Sequence, residues 1–213
     1  MKMVSVLEEI SEAVVKAESE AKVKELTQRA VDEGLPVKEI LDNGLAKGIN
    51  VIGQRWKEGE AFIPEVLVSA KVMRAGTEVI KELMAKSGIK PIGKVVIGTV
   101  KGDVHSIGKS LVAMMMENVG FEVHDLGVDV ALERFVEAVK AQEADLLAMS
   151  ALLTTTMPAM ADTIQAINAE GLKVTTMIGG APTTQEYADS IGADGYGVDA
   201  QSAVDKAREL LGV

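Results

Sequence analysis

From Lys94 onward, short apolar runs alternate with amphipathic stretches of helical period, and this alternation limits the possible folds more than any other feature of the chain. The runs are KVVIGTV (94–100), FEVHDLG (121–127), ADLLAMS (144–150), LKVTTMIG (172–179) and a short DGYGV (194–198). Helix-patterned segments lie near 107–119, 131–142, 157–170, 184–191 and 199–211. Strand followed by helix, repeated, predicts an α/β fold with a doubly wound, five-stranded parallel sheet. Ligands of such sheets bind outside the carboxyl ends of the strands, where the strand order reverses. Functional residues are therefore expected just after strands.

The first part of the chain is patterned differently. Between Val4 and about Ala17, Val6, Leu7, Ile10 and Val14 recur at three- and four-residue spacing, with Glu and Lys between them. A second helix is expected from Glu20 to Glu33, closed by Gly34 in the left-handed position beyond the helix end. Pro36 then suits the first turn of a third helix, which carries Ile40, Leu41, Leu45, Ile49 and Ile52. KEGEAF breaks it, and a fourth helix runs from about Pro64 to Ala85. Four helices with short loops predict a small bundle. SGIKPIGK (87–94) reads as the linker between the two parts.

Composition excludes several chemistries. The 213 residues contain no Cys, which removes disulfides, thiolate nucleophiles and Cys-held zinc or iron–sulfur clusters. A net charge of −10, with no Lys/Arg cluster, argues against nucleic acid and against an anionic membrane surface. The N-terminal MKMVSVLEEISEAVV has acids where a signal peptide needs an apolar core, and no apolar run is long enough to span a bilayer. The expected location is the cytoplasm.

The first strand is followed by GTVKGDVHSIGKS. Its ending, Gly108-Lys109-Ser110, imitates a phosphate-binding loop, but the glycine such a loop needs five residues earlier is Asp103. A carboxylate there would repel phosphate. Asp103 and His105 lie two apart, so both can face one side of an extended loop. A carboxylate that accepts one imidazole N–H fixes the tautomer and raises the basicity of the other nitrogen, as behind a metal-ligating histidine. By itself D-x-H-x-x-G also fits a solvated histidine beside a helix N-cap aspartate. The third strand is followed by SALLTTTM (150–157), small and hydroxylic where bulk would be expected, and the fourth by IGGAPTT with Gly179 and Gly180 paired. Paired glycines admit close approach to backbone.

Taken together, Asp103-x-His105-x-x-Gly108, Ser150-x-Leu152 and Gly179-Gly180 resemble the pattern of the cobalamin-binding domain. The chain is similar to the B12-binding module of methionine synthase, and more closely to the free-standing corrinoid proteins of methanol, methylamine, glycine betaine and methoxyarene methyltransferase systems. The resemblance extends over essentially the whole chain. It implies a helical cap domain over 1–88 and a flavodoxin/Rossmann-like cobalamin-binding domain over 92–213. It implies that His105 replaces the cofactor's own base on cobalt, that Asp103 holds the other ring nitrogen, and that Thr156 stands where the synthase has a serine hydroxyl. Gly102, Val104, Ser106, Ile107, Gly108, Ser150, Leu152, Thr154, Gly179, Gly180 and Ala200 would complete the cofactor-binding set. In the helical half, RWKEGEAFIPEVLVSAKVM (55–73) matches the helix that covers the upper corrin face, with Phe62, Glu65 and Val72 on it and Trp56 nearby. Trp56, Phe62 and Val72 read equally as bundle core. His124, in the second strand, matches no motif and reads as structural.

The function so implied is methyl carriage in one-carbon metabolism. A corrinoid, cycling between cob(I)alamin and methylcobalamin, would accept a methyl group from a substrate-specific methyltransferase. It would deliver that group to a second methyltransferase with a tetrahydrofolate- or coenzyme M-type acceptor. A reductive activase would be a further partner. The same motifs also fit an adenosylcobalamin-dependent sensor or the B12 subunit of a mutase; no DNA-binding segment accompanies them, and the N-terminal bundle favours the carrier.

Overall fold

The structure is a computed structural model that describes residues 5–88 and 90–213; the expected helix start at Val4 lies outside the described residues, as does Ile89 of the expected linker. The chain divides between Lys90 and Pro91 into two compact units.

The first unit is helical: α1 (Val6–Val15), α2 (Glu20–Asp32), α3 (Val37–Glu39), a π-helical segment (Ile40–Ala46), α4 (Lys47–Lys57) and α5 (Ile63–Lys86). A reciprocal cap starts α1: the Ser5 hydroxyl accepts the Glu8 N–H and the Glu8 carboxylate accepts the Ser5 N–H. Gly34 has φ +77°, the left-handed conformation expected of it. The third expected helix is composite, because α3 passes through the π-helical segment into α4. Asn43 and Gly44, weak helix formers, lie in that wide turn. A Cβ on Gly44 would lie 3.2 Å from Ile10 and one on Gly48 would lie 2.7 Å from Val14, so this stretch packs directly on α1. Ile10, Val14, Val23, Leu26, Ile40, Leu45 and Ile49 are buried.

The second unit is the expected parallel sheet, with strands β1 (Lys94–Thr99), β2 (Glu122–Asp125), β3 (Leu146–Ser150), β4 (Thr175–Gly179) and β5 (Gly195–Gly197) in the order β2-β1-β3-β4-β5. The helices are α6 (Ile107–Asn118), α7 (Leu132–Gln142), α8 (Pro158–Ala169), α9 (Gln185–Ile191) and α10 (Ala200–Leu211). α6 packs with α10, and α7 with α8. The central strands β1 and β3 are buried along nearly all their length because both faces are covered. Val96, Leu147, Met149 and Ile178 meet Phe135, Met160, Ile164 and Ile167 in one cluster. The strands are shorter than their apolar runs. Leu172, expected in β4, instead gives its N–H to the Ile167 carbonyl and packs half-buried against that cluster, closing α8 beyond Gly171 (φ +66°). β2 is an edge strand, and His124 stands exposed on it.

The order reverses between β1 and β3, which pair from Val95↔Leu146 to Thr99↔Ser150. The crevice of such a sheet opens beyond these two strands. Phe135 is fully buried, and its ring occupies the space that a Cβ on Gly98 would enter at 2.7 Å. Phe135→Ala is expected to lower the unfolding free energy by about 3–5 kcal/mol in urea titrations, as for other buried aromatic truncations.

Candidate functional site

The chain leaves β1 at Thr99, bridges Val100 to Val130, and turns at Gly102 (φ +83°). Two groups hold the turn: Asp129 accepts the Gly102 N–H at 2.8 Å, and the Asp129 N–H bonds the Asp103 carbonyl at 2.8 Å. The buried Thr99 hydroxyl donates to the His105 carbonyl at 2.9 Å, which fixes the far side of the loop.

Asp103 is fully buried, and both its oxygens are engaged. Oδ1 accepts the His105 backbone N–H at 3.0 Å and lies 2.8 Å from His105 Nδ1. Oδ2 accepts the Leu152 and Leu153 N–H groups at 2.8 and 3.3 Å and lies 2.8 Å from Thr156 Oγ1. Burial by itself pushes this carboxyl upward. The amides of Leu152 and His105, the His105 ring and the Thr156 hydroxyl outweigh it and hold the group well below the usual carboxylate range. Asp103 is thus an ionised acceptor at neutral pH and not an N-cap; Ser106 stands at that position of α6.

In the neutral ring an ionised acceptor on Nδ1 keeps the proton there and leaves the Nε2 lone pair bare. The His105 side chain is 48% exposed, so the ring is not enclosed by the protein. Thr156 has one proton and two acceptors, Asp103 Oδ2 and the Leu153 carbonyl at 2.9 Å, and it is buried. The structure thus brings Asp103, His105 and Thr156 together from the loops after β1 and β3.

The other expected residues surround this centre. Ser150 closes β3, and Leu152 and Thr154 are exposed in the loop beyond it. Gly180 has φ +121°, and a Cβ there would stand 1.8 Å from the Ala151 carbonyl oxygen. Gly179 approaches the Gly197 carbonyl, so the glycine pair lets the chain's own strand ends close together. Gly108 borders open space, and Ala200 opens α10, buried. Val104 and Ile107 are 69% and 73% exposed, and Leu152, Leu153 and Val198 are exposed as well. Exposed apolar side chains concentrated in the loops after strands of one sheet mark a ligand surface.

In the helical unit Phe62 is exposed, Trp56 half-buried and Val72 buried. Glu65 accepts the Phe62 N–H at 2.8 Å and so caps α5. Sequence reasoning missed Asp129, whose only signal is its place after β2, and Lys109, which it considered only as a phosphate ligand. Lys109 is buried and bonds both carboxylate oxygens of Asp125.

Among the described residues no three His, Asp or Glu side chains converge to hold a bare metal ion. A single imidazole suits a metal whose remaining sites a macrocycle fills, and the apolar rim suits the flat face of such a ring. Known proteins point the same way. The sequence profile of the B12 binding domain matches residues 93–205, and a second B12 binding domain profile matches residues 6–81. The chain therefore belongs to the B12-binding-domain family, whose cofactor is a cobalamin-type corrinoid. It is 46% identical over 208 residues to dimethylamine corrinoid protein 1 of Methanosarcina acetivorans, covering 96% of this chain and 97% of the relative. Its fold matches the methanol:cobalamin methyltransferase complex of Methanosarcina barkeri with a TM-score of 0.85 and 32% identity, over 97% of this chain and 80% of the other. It also matches a cobalamin-binding protein of Desulfitobacterium hafniense DCB-2 with a TM-score of 0.82 and 27% identity, over 97% and 99% of the two chains.

The folded Asp103 carboxyl titrates below its unfolded counterpart, so its contribution to stability is complete above about pH 4 and is lost as the pH falls toward the folded value. The stability gap between wild type and Asp103→Asn, measured by urea unfolding, is expected to be widest near neutrality and to narrow below that pH. Gly180→Ala places a methyl group inside the Ala151 backbone, so it should destabilise the protein and weaken cobalamin binding together, checked by denaturation and spectral titration.

Proposed function

We propose that this protein is the methyl-carrying corrinoid component of a methyltransferase system. The supporting observation is the His105 ring, with Nδ1 tied to a buried, ionised Asp103 and the side chain half exposed. The corrinoid, when bound, supplies the cobalt that takes and releases the methyl group.

The chain's own residues bind, orient and tune. His105 Nε2 is the proposed cobalt ligand. Asp103 fixes its tautomer and strengthens it as a donor. Thr156 holds a proton between Asp103 Oδ2 and the Leu153 carbonyl, so a shift of that proton changes how strongly Asp103 pulls on Nδ1–H. Ser150, Thr154, Gly179, Gly180 and Ala200 are the proposed lining for the cofactor's nucleotide tail, with Gly102, Val104, Ser106, Ile107, Gly108 and Leu152 around the corrin. Residues 1–88 serve as the cap domain, with Phe62, Glu65 and Val72 as its proposed cofactor-binding residues, and 92–213 as the cobalamin domain.

The proposed partners are a substrate-specific methyltransferase, a second methyltransferase with a tetrahydrofolate- or coenzyme M-type acceptor, and a reductive activase, in the cytoplasm. The likeness to the methanol:cobalamin methyltransferase complex of Methanosarcina barkeri supports the first of these. Among the described residues no helix is long and apolar enough to cross a membrane. Titration with hydroxo- and methylcobalamin should give a stoichiometric complex, whose Co(II) form, in protein labelled with 15N in its imidazole rings, shows the 15N splitting of a protein ligand in electron paramagnetic resonance, distinct from that of the cofactor's own base. His105→Ala should lose that splitting. Retention of the splitting by the variant, or strong preference for adenosylcobalamin with light-dependent self-association, would contradict the reading.

A further inference from the structure

Lys109, in the phosphate-loop look-alike, is a buried charge that neither a nucleotide nor the proposed cobalt site accounts for. Its side chain is 2% exposed, and its ammonium bonds both oxygens of Asp125, which also accepts the Gly127 N–H at 2.8 Å. An ammonium withdrawn from water costs several kcal/mol unless its partner is well placed. Lys109 lies in the first turn of α6, directly after the His105 loop, and Asp125 ends the edge strand β2. β2 pairs with β1 alone, through a register that sets Asp125 beside Ile97.

The His105 loop thus has two ionic anchors on opposite sides. Asp103 ties it toward the loop after β3, through Leu152, Leu153 and Thr156. Lys109 ties the helix that follows it to the end of β2. Ser106 caps this helix without a side-chain hydrogen bond, so the ion pair is the polar link that fixes the helix's first turn laterally.

We infer that Lys109 and Asp125 are positioning residues for the proposed cobalt ligand: the pair fixes the first turn of α6 against β2 and so sets how far His105 Nε2 projects from the sheet. The inference rests on the proposed function. It requires no contact between Lys109 and the cofactor, and it gives a role to a buried lysine in the first turn of α6.

The test compares Lys109→Met, which keeps length and burial but removes the charge, with Lys109→Arg and Asp125→Asn. In cofactor-free protein, hydrogen exchange of the His105 N–H is expected to accelerate in Lys109→Met while the β3 amides stay protected. Loaded with cobalamin, Lys109→Met should bind about 10–100-fold more weakly, the range seen when groups behind a metal ligand are removed. Its Co(II) form should show reduced or lost nitrogen splitting. Lys109→Arg should restore part of the splitting. If Lys109→Met does not fold, Asp125→Asn carries the same expectations, since its site is partly open to water. Wild-type affinity and splitting in the folded Met or Asn variant would overturn the inference. Absence of splitting in wild type would instead overturn the ligand assignment on which it rests.

Discussion

The site is organised around one fully buried carboxylate. Asp103 draws amides from the loop after β3, a hydroxyl from the same loop, and the backbone and ring of His105 onto two oxygens. A buried donor left without an acceptor costs about 1–3 kcal/mol. The charge is therefore held by several groups that each need it, and the loops after β1 and β3 cannot move independently. The same charge dictates the histidine tautomer. Folding and ligand presentation are consequences of one set of hydrogen bonds.

The sheet topology explains why this carboxylate can be shared. β1 and β3 are adjacent although β2 intervenes in sequence, so the loops that follow them leave the sheet side by side. Gly180 brings the next strand end against Ala151, and Asp129 braces the turn at Gly102 from the β2 side. Four strand ends thereby support a loop that would be mobile alone. Val104, Ile107 and Leu152 around it are exposed apolar side chains, as a ligand-binding surface would present.

Much of this was legible in the sequence. The strand–helix alternation and the Asp103-x-His105 spacing are local patterns, and the fold and the loop geometry follow them. Strand ends were less legible, because an apolar run does not say where a helix cap such as Leu172 stops and pairing starts. The glycine pair reads in the sequence as allowing close approach to backbone, and in the structure the neighbouring strand ends of the chain itself come close there. The partners of Asp103 in the loop after β3 are backbone amides, which no side-chain identity announces. Lys109 and Asp125 are 16 residues apart and meet only because α6 folds back beside β2. The π-helical segment and α4 likewise depend on packing against α1, which local propensity alone does not announce.

The central claim is that Asp103 holds His105 in a single tautomer with Nε2 free. Nitrogen NMR of the cofactor-free protein, labelled in the imidazole rings, measures this directly, with the exposed His124 as internal reference. The account predicts a neutral His105 ring protonated at Nδ1 alone, reverting to the usual Nε2-protonated form in Asp103→Ala. A wild-type His105 protonated at Nε2 would contradict it, because a nitrogen that carries a proton offers no lone pair to cobalt.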